Sequence, residues 1–297
     1  MCAKQTSYRT LTPADTGYPA LLREIPDPPA VLHVRGTLGD SCEPAVAIVG
    51  SRHASPYGLE CAERLAYDLA LRGITVVSGL ARGIDAAAHR GALNAHGRTV
   101  AILGSGLDCL YPPEHERLAE EIAELGCVVS EYPMGMQPLP HNFPRRNRLI
   151  SGWSLGVVIV EAAQRSGALI TADMALEQGR EVFAVPGPVT AVTSQGTHEL
   201  LKHGARLVTS VEDILEELGL TADAPSRAAG ARAHAPASEL VEAERRIVAC
   251  LGTEPQDIDA IAQASGMRAS EASSWLLQLE LKRIVRQLPG KQFVRHS

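Results

Sequence analysis

The sequence predicts an α/β fold class: a doubly wound, mainly parallel sheet followed by a small C-terminal winged-helix domain. Three observations lead there. Short β-branched runs recur through the first two thirds of the chain, stretches of helical spacing separate them, and beyond Leu220 the alternation stops. Strands alternating with helices of this length require right-handed crossovers, which lay the strands parallel and bury the sheet on both faces.

The strands are read at AVAIVG (45–50), ITVVSG (74–79), TVAILG (99–104), CVVSE (127–131), GVVIVEA (156–162), EVFAVPG (181–187) and ARLV (205–208). Helical spacing fills GLECAERLAYDLALRG (58–73), GIDAAAHRGALNAHG (83–97) and TADMALEQGR (171–180). Together they define a domain over residues 45–220. Residues 1–44, with YPALLREIPDPPAVLHVRG, hold too many prolines for a domain of their own and are expected to pack on it as an extended arm. Residues 221–238 (TADAPSRAAGARAHAPAS) show neither periodicity and read as a flexible linker. Residues 239–297 then give VEAERRIVACLG, DIDAIAQAS, a turn at GMRAS, EASSWLLQLELKRI, and strand-like IVRQL and KQFVR around Pro289-Gly290, the order of a winged helix.

Composition limits the class. With 297 residues, 45% hydrophobic, and a formal charge of −6, the chain can bury a substantial core. No apolar run reaches the roughly 18 residues that span a bilayer, and the first twenty lack a signal-peptide hydrophobic region, so a cytoplasmic protein with no membrane contact is expected. Cys2, Cys42, Cys61, Cys109, Cys127 and Cys250 form no C-x-x-C pair and read as buried thiols rather than disulfides or zinc ligands.

In an open parallel sheet, ligands bind outside the carboxyl ends of the strands. Those ends carry Gly50-Ser51-Arg52, Ser78-Gly79-Leu80-Ala81-Arg82-Gly83, Gly104-Ser105-Gly106, Arg165-Ser166-Gly167 and Pro186-Gly187-Pro188. Glycine lets backbone N–H groups approach an anion, and each helix start adds partial positive charge. A tight turn alone also demands glycine, so a single such loop says little. Arg52, Arg82 and Arg165 add what a turn does not need, a planar group that matches a phosphate with two parallel hydrogen bonds. A row of phosphate sites is the expectation.

HNFPRRNRLISG (141–152) lies on the same edge, in a long loop expected to become helical near Arg145. Pro144 should hold Phe143 extended, leaving its ring for a nucleobase while Arg145, Arg146 or Arg148 hold phosphates, the mixture that single-stranded nucleic acid prefers. In the competing reading Phe143 plugs a hydrophobic gap, the arginines are a solvated helix face and Arg148 pairs with an acid. Composition does not choose between them.

GSRHASPYG (50–58), SGLARGIDAAAH (78–89), GSGLDCLYP (104–112), SEYP (130–133), FPRRNRLISG (143–152), VEAAQRSGALITA (160–172) and VFAVPGP (182–188) together resemble the DNA-processing protein A family, also called DprA or Smf. The resemblance runs in unbroken order over roughly residues 11–218, and the C-terminal segment is similar to the winged helix that many members carry. It implies a Rossmann-like domain that binds single-stranded DNA, dimerises, protects incoming DNA and loads the RecA recombinase during natural transformation. Carried over by residue, Arg52 matches the arginine of the G-S-R loop, Phe143 the aromatic, and Arg146 and Arg148 the arginines of the R-N-R triplet. Pro140 stands where many members have a lysine, so one phosphate contact is either missing or supplied by His141 or Arg145. An N-terminal helical module found in some members is expected to be missing. SQGTHELLKHGARLV (194–208) matches the dimerisation segment, with His198, Leu201 and Gly204 near one face.

The winged-helix segment carries eight basic and eight acidic side chains, with Lys282, Arg283, Arg286, Lys291 and Arg295 set against acids such as Glu271 and Glu280. A protein-interaction or weak DNA role is favoured there over sequence reading in a groove. The alternative for the whole chain is a nucleotide- or nucleoside-phosphate-processing hydrolase that uses Asp85, Asp108, Glu131, Glu161 or Asp173 as acid or base. The spacing opposes it: PGPVTAVTSQGTHE (186–199) sets its glycines and Glu199 too far apart for a P-G-G-x-G-T-x-x-E loop. Gly50-Ser51-Arg52 also lacks G-x-G-x-x-G spacing, and no Walker loop or H-E-x-x-H occurs. A binding protein that is not an enzyme, without metal or cofactor, is therefore expected. Its net negative charge is compatible with DNA if the arginines are concentrated in one crevice.

Overall fold

The computed structural model describes residues 8–40, 42–220, 246–247, 250–251, 256–281, 285–288 and 292–295. The chain divides into two compact units, residues 1–230 and 231–297.

The first unit begins with β1 (Arg9–Leu11), α1 (Ala20–Arg23) and β2 (Leu32–Gly36), then alternates β3 (Ala45–Val49), α2 (Pro56–Leu71), β4 (Thr75–Ser78), α3 (Ile84–Asn94) and β5 (Thr99–Ile102). A short 3-10 turn (Pro113–His115) leads into α4 (Glu116–Leu125), β6 (Cys127–Ser130), α5 (Asn142–Trp153), β7 (Gly156–Ile159), α6 (Gly167–Glu177) and β8 (Glu181–Ala184). After a second 3-10 turn (Val192–Ser194) come α7 (Gln195–Lys202), β9 (Arg206–Leu207) and α8 (Val211–Glu217). The strands form one nine-stranded sheet in the order β1-β2-β6-β5-β4-β3-β7-β8-β9. From β6 to β9 every pairing is parallel, which is the doubly wound sheet that the alternating elements predict.

Every residue of β3, β4, β5, β6 and β7 is buried, so these strands read as continuous apolar runs. Alternation assigns their faces. Ala45, Ala47 and Val49 join the core beneath α1, α5 and α6, whereas Val46 and Ile48 join the core beneath α2 and α3. A third cluster, including Leu103 and Val128, packs under α4 through Leu118 and Ile122.

The proline-rich N-terminal segment does more than lie on this core. In β2, Leu32 and Val34 are buried, and the strand pairs antiparallel with β6 from His33 opposite Ser130 to Gly36 opposite Cys127. Its prolines fall outside the paired stretches, so β1 and β2 add an antiparallel edge to the sheet.

The second unit contains β10 (Gln256–Asp257), α9 (Ile258–Ser265), α10 (Ala269–Leu281), β11 (Val285–Leu288) and β12 (Gln292–Arg295). Asp257 caps α9 by accepting from the Ala260 N–H at 2.8 Å, and Gly266 ends that helix at φ +67°. Ile247, Leu251, Ile261, Leu276, Leu279, Val285 and Phe293 form its core, with Trp275 packed against them. Residues 221–238, expected as a linker, and Lys282, Arg283 and Lys291 lie outside the described residues, as do the side chains of Glu280, Arg286 and Arg295.

The described cysteines form no disulfide: Cys61 and Cys127 are buried, Cys109 and Cys250 half-buried, and Cys42 is exposed. Among the described residues no helix is long and apolar enough to cross a membrane, and no group of His, Cys, Asp or Glu is placed to hold a metal.

His89 of α3 is fully buried against β5. The Thr99 hydroxyl donates to the Val76 carbonyl at 2.8 Å, so it accepts from the His89 Nδ1–H at 2.7 Å, and Nε2 finds no partner. Desolvation, aided by the charges of His115 and Arg146, lowers the imidazole pKa to about 3. The folded chain keeps His89 neutral while the unfolded chain protonates it near pH 6.5, so this contribution to stability is present above that pH. It is lost progressively as pH falls from 6.5 toward 3, by up to about 1.4 kcal/mol per pH unit. Urea unfolding at pH 7, 6 and 5 should show this slope, and His89→Gln should flatten it; an identical slope in the variant would assign the acid sensitivity elsewhere.

Candidate nucleic-acid interface

The winding direction reverses between β3 and β7, and a crevice of about 690 Å³ opens outside their carboxyl ends. One wall is Gly50, Ser51 and Arg52 after β3, and the other is Arg165, Ser166 and Gly167 at the start of α6. Tyr111, Phe143, Arg146 and Asn147 close it toward α5, with Pro138, Pro140 and Ile170 as apolar lining.

The expected row of phosphate loops is only partly open. In the β4–α3 loop the Asp85 carboxylate already accepts from the Gly79 and Ala81 N–H groups, at 3.1 and 3.3 Å. The Ser78 hydroxyl is fully buried and donates to the Ile48 carbonyl at 2.7 Å. Ser78 and Gly79 are therefore not phosphate donors; a carboxylate from the same chain takes the anion's place. Gly83 caps α3 at φ +74° and packs on the Ser51 carbonyl where a side chain would not fit, a role in loop packing rather than ligand contact. Arg82 is exposed but paired with Glu114 at 2.5 Å.

The α2 start is closed in the same way. Glu161, buried, accepts from the Ser55 N–H at 2.8 Å and the Ser55 hydroxyl at 2.5 Å. At the start of α6, Ser166 caps its own helix by accepting from the Ala168 N–H at 3.3 Å, while open space surrounds Gly167. Ser51 spends its N–H on the Glu161 carbonyl at 2.8 Å. The Ser51 hydroxyl accepts from the His53 N–H at 3.1 Å, so the arginine side chains are the charged donors of the two walls.

The 141–152 stretch departs from expectation at several residues. Helix α5 begins at Asn142, so Phe143 stands in its first turn rather than on extended chain; Pro144 is tolerated there because first-turn N–H groups have no helical partner. The Phe143 ring is half-buried, 5.7 Å from the Tyr111 ring at 52°, with the Arg52 guanidinium over it at 5.4 Å from the centroid. Tyr111 was not singled out from sequence; its only signal is its place beside Pro112 in the GSGLDCLYP motif.

Arg146 is buried, only 4% exposed, and donates to the carbonyls of Ile102 and of Gly79, the latter at 2.8 Å, and through Nε to Asn147 Oδ1 at 3.2 Å. A side chain on Gly79 would place its Cβ 2.6 Å from this guanidinium. Burial is the main reason that its pKa falls to about 10, opposed by the nearby Asp85 charge. The same burial pushes the Asp85 carboxyl up. Arg146 is thus a fixed charge beneath the crevice rather than a mobile phosphate clamp.

Arg148 is not available to phosphate. It binds Glu131 through two hydrogen bonds, at 2.7 and 3.2 Å, and reaches Asp27 at 3.2 Å. His141 and Arg145 are exposed but lie outside the crevice lining, to which Pro140 contributes apolar surface. Arg52 and Arg165 are exposed on opposite walls and enter no ion pair with a carboxylate among the described residues.

A doubly wound sheet with an arginine-walled, aromatic-lined crevice at its switch point defines an α/β protein with a crevice outside the carboxyl ends of its strands, the place where open parallel sheets bind ligands. The chain belongs to the DNA recombination-mediator protein A family, whose model matches residues 9–219, and a DprA winged helix domain matches residues 231–291. It is 44% identical to Protein Smf of Escherichia coli, over 98% of this chain and 78% of that protein. It is 46% identical to the DNA processing protein DprA of Streptococcus pneumoniae, over 68% of this chain and 72% of that one. The X-ray structure of the Streptococcus pneumoniae protein aligns with a TM-score of 0.67 at 43% identity, covering 71% of this chain and 74% of that one. A structure of DNA processing protein A from Helicobacter pylori, described for its single-stranded DNA binding mode, aligns at 0.64 with 31% identity, covering 72% and 96%.

Arg148 and Glu131 retain only 11% and 8% of their side-chain exposure. Arg148→Ala should strand a buried carboxylate and cost about 3 kcal/mol in urea unfolding. A variant as stable as the parent would show that the pair contributes nothing.

Proposed function

We propose that this protein binds single-stranded DNA in the switch-point crevice and acts as a recombination mediator, protecting incoming DNA and loading RecA during natural transformation in the cytoplasm. The observation that carries the reading is the pair of arginines Arg52 and Arg165, without an ion-pair partner among the described residues, in one crevice with the aromatic pair Phe143 and Tyr111. Phosphates attract the arginines, and unpaired bases can approach the aromatic end, whereas a duplex hides its base faces. The solved relative from Helicobacter pylori, described by its single-stranded DNA binding mode, supports the same ligand class.

Binding rather than catalysis fits the strand-end acids, four of which are committed to other partners and the fifth set outside the crevice. Asp85 serves the Gly79 loop, Asp108 accepts from the Gly135 N–H at 2.8 Å, Glu131 holds Arg148, and Glu161 caps α2. Asp173 is exposed on α6, outside the crevice lining.

Self-association is proposed through the β9 edge. Arg206 and Leu207 are both exposed, and Val189 and Val192 add exposed apolar surface to the same C-terminal part of the unit. Leu201 is half-buried and Gly204 turns the chain at φ +98°, while His198 Nε2–H donates to the Gly187 carbonyl at 3.0 Å and so serves the fold first. A second copy would pair with the open strand edge.

Fluorescence anisotropy across a salt series should show preference for a single strand over the same sequence as duplex. Arg165→Ala should lower the salt slope by about 0.7, one lost phosphate contact on a single strand. Equal binding of both forms, or no binding, would overturn the ligand assignment. Sedimentation velocity should find a dimer that Leu207→Arg converts to monomer; a monomeric parent would refute the edge pairing. RecA loading requires that the protein speed RecA filament growth on a strand already coated by another single-strand binder, and no acceleration would refute it.

A further inference from the structure

A second cavity, of about 400 Å³, lies at the opposite end of the sheet from the crevice and shares none of its lining. It opens at the amino ends of β3, β4 and β5, where Pro44, Thr75 and Arg98 face the α1 segment. Leu21, Leu38, Val100, Leu155 and Trp153 make its wall mainly apolar. Small-molecule sites have this form, concave and apolar, about 300–1,000 Å³ in volume, with a few polar groups set into the wall.

Two polar groups on this wall lack partners. Thr75 is 3% exposed, and its Oγ1 makes no hydrogen bond. Strand alternation turns its side chain the same way as Val77, toward the core that holds Trp153. Trp153, the last residue of α5, is 8% exposed, and its indole N–H meets no acceptor among the described residues. Buried polar groups are ordinarily bonded, so two orphans beside one cavity mark a place where a partner is missing. The charged groups of the lining are bonded already. Arg98 lies 3.1 Å from the Glu43 carboxylate and donates to the Thr37 carbonyl at 2.9 Å, and Asp40 accepts from the Cys42 N–H at 3.1 Å.

We propose that this cavity binds a small, uncharged heteroaromatic molecule whose acceptor edge lies toward Trp153 and Thr75. An indole N–H can only donate and a threonine hydroxyl serves either way, so an acceptor on the ligand satisfies both. A flat ring fits a wall that includes Trp153, because aromatic pairs gain beyond the area they bury. Charge is excluded because burying an ion without a counter-charge is costly, and Arg98 is already held by Glu43. The lining sets Asp40 and Glu43 against Arg98 alone, which turns away anions in particular.

Quinoline is the probe, with two fused rings, one acceptor nitrogen and no charge at pH 8. Saturation-transfer NMR and calorimetry on the full chain should find it bound with a dissociation constant below about 1 mM, and quinoline-6-carboxylate weaker by at least about 10-fold. Gly17 lines the cavity and has open space where a side chain would stand, so Gly17→Leu should abolish binding without lowering Tm. Trp153→Phe keeps a ring and removes the N–H, and Thr75→Val keeps the shape and removes the hydroxyl. Each should weaken quinoline by about 2- to 10-fold, the loss of one neutral hydrogen bond. The proposal is overturned if quinoline does not bind the parent, if the carboxylate binds as tightly, or if Gly17→Leu binds as the parent does. Unchanged affinity in both Trp153→Phe and Thr75→Val overturns it as well.

Discussion

Arg146 ties the upper end of the sheet together. Its buried guanidinium donates to carbonyls at the ends of β4 and β5, Gly79 and Ile102, from a helix that crosses above them. Removing it would leave those carbonyls without their donor at a buried position, a cost that packing could not repair. It also fixes where α5 sits. Phe143 lies three residues earlier on the same helix and hence near the same face, so anchoring Arg146 carries the aromatic to the crevice mouth. Gly79 exists as glycine for this contact, and Asp85 lies close enough to offset part of the buried charge.

Much of the architecture was legible because burial on both faces leaves a plain mark. The strands from β3 to β8 could be read as apolar runs, and the helices between them by spacing. β2 was hidden by surrounding prolines, which say nothing about the paired stretch between them. The start of α5 at Asn142 is hidden in the sequence because Pro144 suits extended chain and a first helical turn equally well.

The site was legible in its location and less so in its members. Glycine, serine and arginine at a strand end look the same whether they await a phosphate or serve the fold. What separates the cases is a distant acid: Asp85 fills the β4–α3 loop, Glu161 fills the α2 start across 106 residues, and Glu131 claims Arg148. No local pattern announces those partners. Once they are assigned, the arginines left to the crevice are Arg52, Arg165 and the buried Arg146, with Asp85 offsetting part of their charge, so a chain of net charge −6 gathers cationic side chains in one place.

The central claim is that a single strand lies across the switch point between β3 and β7. Photocrosslinking of a strand carrying 5-iododeoxyuridine, followed by peptide mass spectrometry, tests it most directly. Crosslinks should fall within residues 50–53, 138–147 and 163–171, including Tyr111 if the base lies at the aromatic end. Crosslinks confined to the opposite end of the sheet, around Leu38–Pro44, or to residues 239–297 alone, would contradict it.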